Sequence, residues 1–120
     1  MYIELICIGG IAMKFSKELL KGSTATLVLS VLEKEDMYGY RIVKEIDKRS
    51  DGAFTLKEGT LYPILHSLEE NEYVESYWEI FENRNRKYYR ITRKGLKVLK
   101  EKKMEWKEYS KSVNKVLNFA

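Results

Sequence analysis

The stretch Glu58-Gly-Thr-Leu-Tyr-Pro63, continued through Ile64 to Asn71, does most to limit what this chain can fold into. Leu61, Ile64, Leu65 and Leu68 recur at spacings of three and four, which gathers them on one face of a short helix. The opposite face carries Thr60, Tyr62, Pro63, His66 and Ser67, which are small, polar or aromatic rather than heavily charged. Pro63 has no amide hydrogen and sits comfortably only near a helix start. The helix is therefore expected to begin between Glu58 and Thr60, and Gly59 lets a partner approach its backbone. Directly behind it, Tyr73 to Phe81 alternates as a strand does, with Val74, Ser76, Trp78 and Ile80 on one side and Tyr73, Tyr77 and Phe81 on the other. Glu82-Asn-Arg-Asn85 reads as a turn by composition. Arg86 to Thr92 alternates again, Tyr89 and Ile91 against Tyr88 and Arg90. A helix with one apolar face and then a hairpin with a cationic tip is the order of a recognition helix and its wing.

The segments on either side fit that order. Lys14 to Lys21 forms a short helical lead-in, and Ser23 or Thr24 caps a first core helix carrying Ala25, Leu27, Val28, Leu29, Val31 and Leu32. Tyr38-Gly-Tyr40 opens a second helix with Ile42, Val43 and Ile46 inward, and Asp51-Gly52 turns the chain. Phe54-Thr-Leu56 has the length of a brief strand that would pin the hairpin edge. Thr92 caps a long final helix reaching about Asn118, in which Leu99, Trp106, Val113 and Ala120 recur every seven residues, the seam of a helix against a partner helix. The expected fold is mainly α with a small β-hairpin: a winged helix-turn-helix with a long carboxy-terminal dimerisation helix. Residues 1–13 read as a dispensable extension, 14–92 as the DNA-binding domain and 93–120 as the dimerisation helix.

Charge is distributed to match. The net charge is only +4, yet no acidic residue falls between Arg84 and Lys97, where seven cations stand, while Glu69 to Glu82 is rich in glutamate. A polyanionic partner is expected at the hairpin. The single cysteine, Cys7, excludes an internal disulfide and any cysteine-based metal cluster. No apolar run approaches the roughly 20 residues that cross a bilayer, and Glu4 interrupts the apolar amino terminus, against a signal peptide. A reduced, cytoplasmic protein with no membrane segment, no metal site and no cofactor is expected. Enzymatic classes lack support: there is no glycine-rich phosphate loop, no paired metal-ligand motif and no nucleophile–histidine–acid set.

Gly39-Tyr-Arg-Ile42, Glu58-Gly-Thr-Leu-Tyr-Pro63, Leu68-Glu69, and Arg86-Lys-Tyr-Tyr-Arg-Ile-Thr92 followed by Gly95 together resemble the PadR family of bacterial transcriptional regulators. The resemblance runs from about Leu19 to Leu99, and the chain is similar to the small subgroup with a single final helix. It departs from the family at Asn83-Arg-Asn85 and at Asn71-Glu72, where glycine is common. The resemblance implies a sequence-specific DNA-binding regulator, a homodimeric repressor on a pseudo-palindromic operator in double-stranded DNA, released by a small molecule or another signal. A winged-helix protein-interaction module without DNA binding is the alternative, and its marker would be an acidic or apolar wing.

DNA recognition needs cations and amides on phosphates and a few side chains on base edges. Lys57, Thr60, Tyr62, Pro63 and His66 stand near the start of the recognition helix, where such a helix meets the major groove. Against this, Tyr62 could pack in the core, Thr60 could merely cap the helix, and His66 could be an ordinary surface residue. Tyr38, Tyr40 and Arg41 open the helix that crosses the backbone in this fold, although Tyr40 is equally suited to the core. Arg84, Arg86 and Lys87 at the wing suit the minor groove or its phosphates. Trp106 lies eleven positions after Gly95, as does the tryptophan of small multidrug-sensing relatives that sandwich flat aromatic ligands between paired tryptophans. By that resemblance Leu19, Thr26 and Ser30 line the same space, and Lys103 brings a charge near it. Packing of the dimer seam is the other reading of Trp106.

Overall fold

The computed structural model describes residues 15–119, in the order α1 (Lys17–Lys21), α2 (Thr24–Lys34), β1 (Met37–Tyr38), α3 (Gly39–Arg49), α4 (Glu58–Glu70), β2 (Val74–Phe81), β3 (Arg84–Ile91) and α5 (Arg93–Leu117). The amino-terminal extension with Cys7, and Ala120 of the seven-residue series, lie outside the described residues. The fold is mostly helical with a three-stranded antiparallel sheet of order β1-β3-β2.

Three helices enclose the core, and the hairpin and the start of α5 close it. Val28, Leu29 and Leu32 of α2 meet Ile42 and Ile46 of α3 and Leu61 and Leu65 of α4, with Val74, Tyr89 and Leu99 on the remaining side. Each fully buried aliphatic side chain stabilises the fold by roughly 1.5–3 kcal/mol. The apolar face anticipated for α4 is the one buried, with Leu61, Leu65 and Leu68 inside and Ile64 at the edge.

Local signals set the ends of the elements. The Ser16 hydroxyl accepts the Leu19 amide and starts α1. Ser23 holds the cap position of α2, but its hydroxyl turns back to donate to the Leu20 carbonyl, as does that of Thr24 at 2.8 Å. These two hydrogen bonds join α1 to α2 instead of capping α2. Asp51 and Gly52, both with positive φ, make the turn after α3. Helix α4 begins at Glu58, within the expected range, which puts Pro63 at the start of its second turn. The Gly59 carbonyl thereby loses its helical amide partner. Around Gly59 itself, no other side chain or segment approaches the position a Cβ would take.

The third strand is a correction. Phe54 to Leu56 forms no strand, and Met37 and Tyr38 pair with Tyr89 and Tyr88 instead. Met37 is fully buried beneath that pairing, whereas Phe54 turns its ring onto Phe15, 5.3 Å between centroids. The wing turn is also tighter than composition suggested. Only Glu82 and Asn83 lie outside the strands, and Arg84 and Asn85 are already paired with Phe81 and Ile80. Both turn residues have left-handed φ, 51° and 61°, the geometry of a two-residue hairpin whose twist matches the strands. Asn83 accepts that conformation readily, and Glu82 does so at about 1 kcal/mol.

Candidate nucleic-acid interface

The start of α4 presents an open row. Thr60, Tyr62, Pro63, His66 and Ser67 are all exposed, as are Lys57, Glu58 and Gly59 just before them. Lys57 occupies the cap position without a side-chain cap bond, so Thr60 does not cap the helix and its hydroxyl is free for other work. Nor is Tyr62 a core residue. It is 45% exposed, and its hydroxyl donates to Glu58 Oε1 at 3.2 Å. Its ring rests on Gly39 at the start of α3, where a Cβ would lie 2.6 Å from the Tyr62 hydroxyl oxygen. Partial burial, then the Glu58 carboxylate, raise the pKa of this phenol, so it remains a neutral donor. His66 Nε2 lies 3.4 Å from a Glu70 carboxylate oxygen one turn on.

The residues expected on the crossing helix sit beside this row. Tyr38 is the cap residue of α3 and half-buried, whereas Tyr40 is exposed with the Lys44 ammonium 5.5 Å from its ring centre. Tyr40 is therefore outside the core. Arg41 is exposed and held by Glu35 at 2.9 Å, so a phosphate at Arg41 would compete with that carboxylate.

The wing cations differ more than their shared segment suggests. Alternation along β2 and β3 divides the hairpin into two faces. One carries Tyr77, Phe81, Tyr88, Arg84, Arg86 and Arg90, with Tyr38 beside Tyr88. On it the Arg86 guanidinium lies over Tyr38 at 4.4 Å and near Phe81 at 5.6 Å, and its Nε is buried with no hydrogen-bond partner among the described residues. Arg90 lies over Tyr77 at 4.9 Å and pairs with Glu75 and Asp36. Lys87 is on the other face, its ammonium 5.7 Å from the Tyr89 ring centre. Arg84, next to the turn, is exposed. Arg86 and Lys87 are thus placed on aromatic rings, whereas Arg84 makes no such contact among the described residues.

An aromatic cluster, Tyr38, Tyr77, Phe81 and Tyr88, supports the wing root. Tyr77 and Tyr88 stack at 5.7 Å and Tyr38 meets Tyr88 edge-on at 5.5 Å. The Tyr77 hydroxyl donates to Asp36 at 2.6 Å, which pushes its pKa up to about 12 and ties the wing to the segment before α3. Sequence reasoning missed this tie. Its only available signal was the shared parity of Tyr77, Phe81 and Tyr88 across the hairpin, which places them on one face without naming Asp36.

The four residues anticipated around a ligand are spread along α1, α2 and α5. Leu19 is exposed on α1, and Thr26 and Ser30 are half-buried on α2. They share a helical face with Glu33, which receives the Lys103 ammonium of α5 at 3.2 Å. Trp106, one turn past Lys103, is 59% exposed and tilts against Tyr109 at 6.1 Å. Farther along α5, Tyr109, Ser112, Val113, Val116 and Leu117 form an open, apolar stretch of the helix surface that includes none of the four. Among the described residues, no cluster of His, Cys, Asp and Glu is placed to hold a metal ion, and no helix is long and apolar enough to cross a membrane.

Comparison with known proteins agrees with this fold. The sequence model of the transcriptional regulator PadR-like family matches residues 28–101. A transcriptional regulator from Clostridium thermocellum is 40% identical, with a TM-score of 0.77 over 84% of this chain and 96% of that one. A PadR family transcriptional regulator from Eggerthella lenta is 37% identical, with a TM-score of 0.74 over 86% and 88% of the two chains. An uncharacterised protein of Lysinibacillus sphaericus is 35% identical over 98 residues, 81% of this chain and 90% of that one.

Proposed function

Because this chain belongs to the transcriptional regulator PadR-like family, whose members are DNA-binding regulators and not enzymes, we propose that it is a cytoplasmic, homodimeric repressor of transcription. The observation that carries the reading is the exposed start of α4 standing beside a cationic wing. In it, the row Lys57, Thr60, Tyr62, Pro63 and His66 enters the major groove and supplies selectivity. Tyr38, Tyr40 and Arg41 hold the crossing backbone, and Arg84, Arg86 and Lys87 clamp the flanking minor groove. With few charges on α4 itself, most of the affinity comes from the wing. Two copies joined through α5 place two such helices about one helical turn apart, so the operator is a pseudo-palindrome. Residues 14–92 form the DNA-binding unit and 93–120 the dimer arm, with residues 1–13 dispensable.

The test is a mobility shift with duplex from the DNA flanking the chain's own gene. Arg84→Ala should weaken binding across all sequences and lower the slope of log K against log salt by about one ion. A parent protein that shifts nothing at low salt would return the chain to a protein-binding role.

Release by a flat aromatic effector between the two Trp106 side chains completes the proposal. Its support is the exposure of Trp106 next to the Lys103–Glu33 pair that joins α5 to α2. An effector there would change the angle between the two DNA-reading halves. Flat aromatic compounds should quench tryptophan emission in the parent and lose that effect in Trp106→Ala. Quenching that persists in the variant would remove this site.

A further inference from the structure

Two of the most exposed large apolar side chains in the subunit stand together on the wing. Trp78 is 63% exposed and Ile80 73%. They share one face of the hairpin, Trp78 paired with Lys87 and Ile80 with Asn85. The inner half of the same face is core, because Val74 and Tyr89 are buried there. The apolar face therefore continues outward past the point where the subunit's own helices cover it.

Its position relative to α4 indicates what covers the outer half. Ser76 on this face donates to Glu69 of α4 at 2.6 Å. Tyr89, paired with Ser76, lies close enough to Glu69 and Tyr62 for both to help raise its phenol pKa, after burial. Tyr62, His66 and Glu69 follow one another at spacings of four and three, so they form one side of α4, and that side looks at this wing face. Trp78 and Lys87 stand two residues nearer the wing tip than Ser76 and Tyr89, about 7 Å along the strand. They form the outer wall of an angle whose other wall is the row of α4 already placed against DNA.

We propose that Trp78 and Ile80, with Lys87, form a second DNA-contacting wall, which holds the sugar–phosphate strand running between the groove read by α4 and the groove reached by the wing tip. This rests on the DNA-binding role proposed above. Lys87 supplies the charge, the Trp78 indole N–H donates to a phosphate, and the Trp78 and Ile80 carbons cover deoxyribose. A duplex is the occupant that suits the mixture, since its backbone alternates anionic oxygen with apolar sugar edges and the wall alternates a cation with two apolar side chains. The contact is with the backbone, so it sets register on any sequence and reads no base.

The experiment follows a fluorescein-labelled duplex by anisotropy at low salt, with tryptophan emission recorded in parallel. In the parent, DNA should raise anisotropy and shift tryptophan emission. Trp78→Phe should abolish the emission change and weaken binding less than Trp78→Ala does, because the phenyl ring still covers sugar but cannot donate to the phosphate. Trp78→Ala should raise Kd about tenfold, the loss of a partly buried apolar side chain, with the salt slope unchanged. Lys87→Ala should lower the slope by about one ion. Far-UV circular dichroism of the variants checks the fold, which an exposed position should leave intact. A parent that binds DNA with no Trp78-dependent emission change and an unaffected Trp78→Ala affinity would overturn this inference and leave the DNA-binding role standing. No anisotropy change in the parent would overturn both. A Trp78→Ala protein that keeps its affinity but sediments as a smaller assembly would assign the face to protein contact and overturn it too.

Discussion

Gly95→Ala should unfold or severely destabilise the protein, because the junction between wing and α5 has no room for a methyl group. A Cβ on Gly95 would fall well inside contact with the Tyr73 carbonyl oxygen and 2.8 Å from Ile91 Cγ1. That carbonyl has nowhere to retreat, since it accepts the Thr92 amide at 3.0 Å, and the Thr92 hydroxyl donates to the neighbouring Glu72 carbonyl at 2.7 Å. The same Thr92 oxygen accepts the Gly95 amide and caps α5. Moving α5 aside would break that cap and pull Leu99 from the core. The expected loss is about 3 kcal/mol or more, a large share of the stability of a domain this small. In a thermal melt this is on the order of 10 °C or more. A melting temperature within a degree or two of the parent's would show slack in the junction. Gly39→Ala makes a useful contrast. There the crowding atom is the Tyr62 hydroxyl, the far end of a side chain that can swing into solvent, so the cost should be much smaller.

The contrast also shows what the sequence could and could not disclose. Leu61, Leu65 and Leu68 announced the buried face of α4, and Thr92 announced the start of α5, because helix period and capping chemistry are local properties of the chain. The fold class and the family were legible for the same reason, being carried by short motifs in order. The partner of β3 was not legible. A two-residue strand has no period, and Met37 and Tyr38 become a strand only because β3 lies beside them. Phe54 to Leu56 has the better composition for a strand and is placed elsewhere. Alternation assigned Trp78 and Ile80 to the face of Val74, but it could not show that the core ends halfway along that face. The wing cations were legible as a group. That Arg86 rests on Tyr38 while Arg84 meets no ring among the described residues depends on aromatic rings from two separate segments. The contacts of individual residues in the candidate interface are therefore set by tertiary structure, whereas their grouping was legible in the sequence.

Val113→Asp is expected to leave the chain folded but monomeric. After Lys103 reaches Glu33, α5 runs beyond the core, and its apolar side chains Trp106, Tyr109, Val116 and Leu117, with Phe119 just past its end, are exposed in the single subunit. Val113 is half-buried beside Tyr109, Val116 and Leu117 on the apolar surface of this segment. Their spacing of three and four marks one side of the helix, an unmatched apolar surface of the kind that signals association. In the proposed dimer a carboxylate at 113 enters that seam twice, once from each subunit, and each desolvated charge without a partner costs several kcal/mol. Dimer dissociation should rise at least roughly a thousandfold, visible as a halved mass by light scattering or sedimentation. The fold should survive, because Val113 lies more than three helical turns past Leu99, the last core residue of α5. Lys111→Asp is the control: it places the same carboxylate on the opposite side of the helix, with a larger change in net charge, and should remain dimeric. A Val113→Asp protein that stays dimeric at micromolar concentration would move the interface elsewhere. DNA binding should fall with the dimer, since each monomer then engages a half-site alone and loses the effective concentration that its partner supplied. That loss should be abolished on a duplex carrying one half-site, where parent and variant bind alike through α4 and the wing. Equal weakening on both duplexes would mean instead that α5 holds the DNA-reading elements in shape within one subunit.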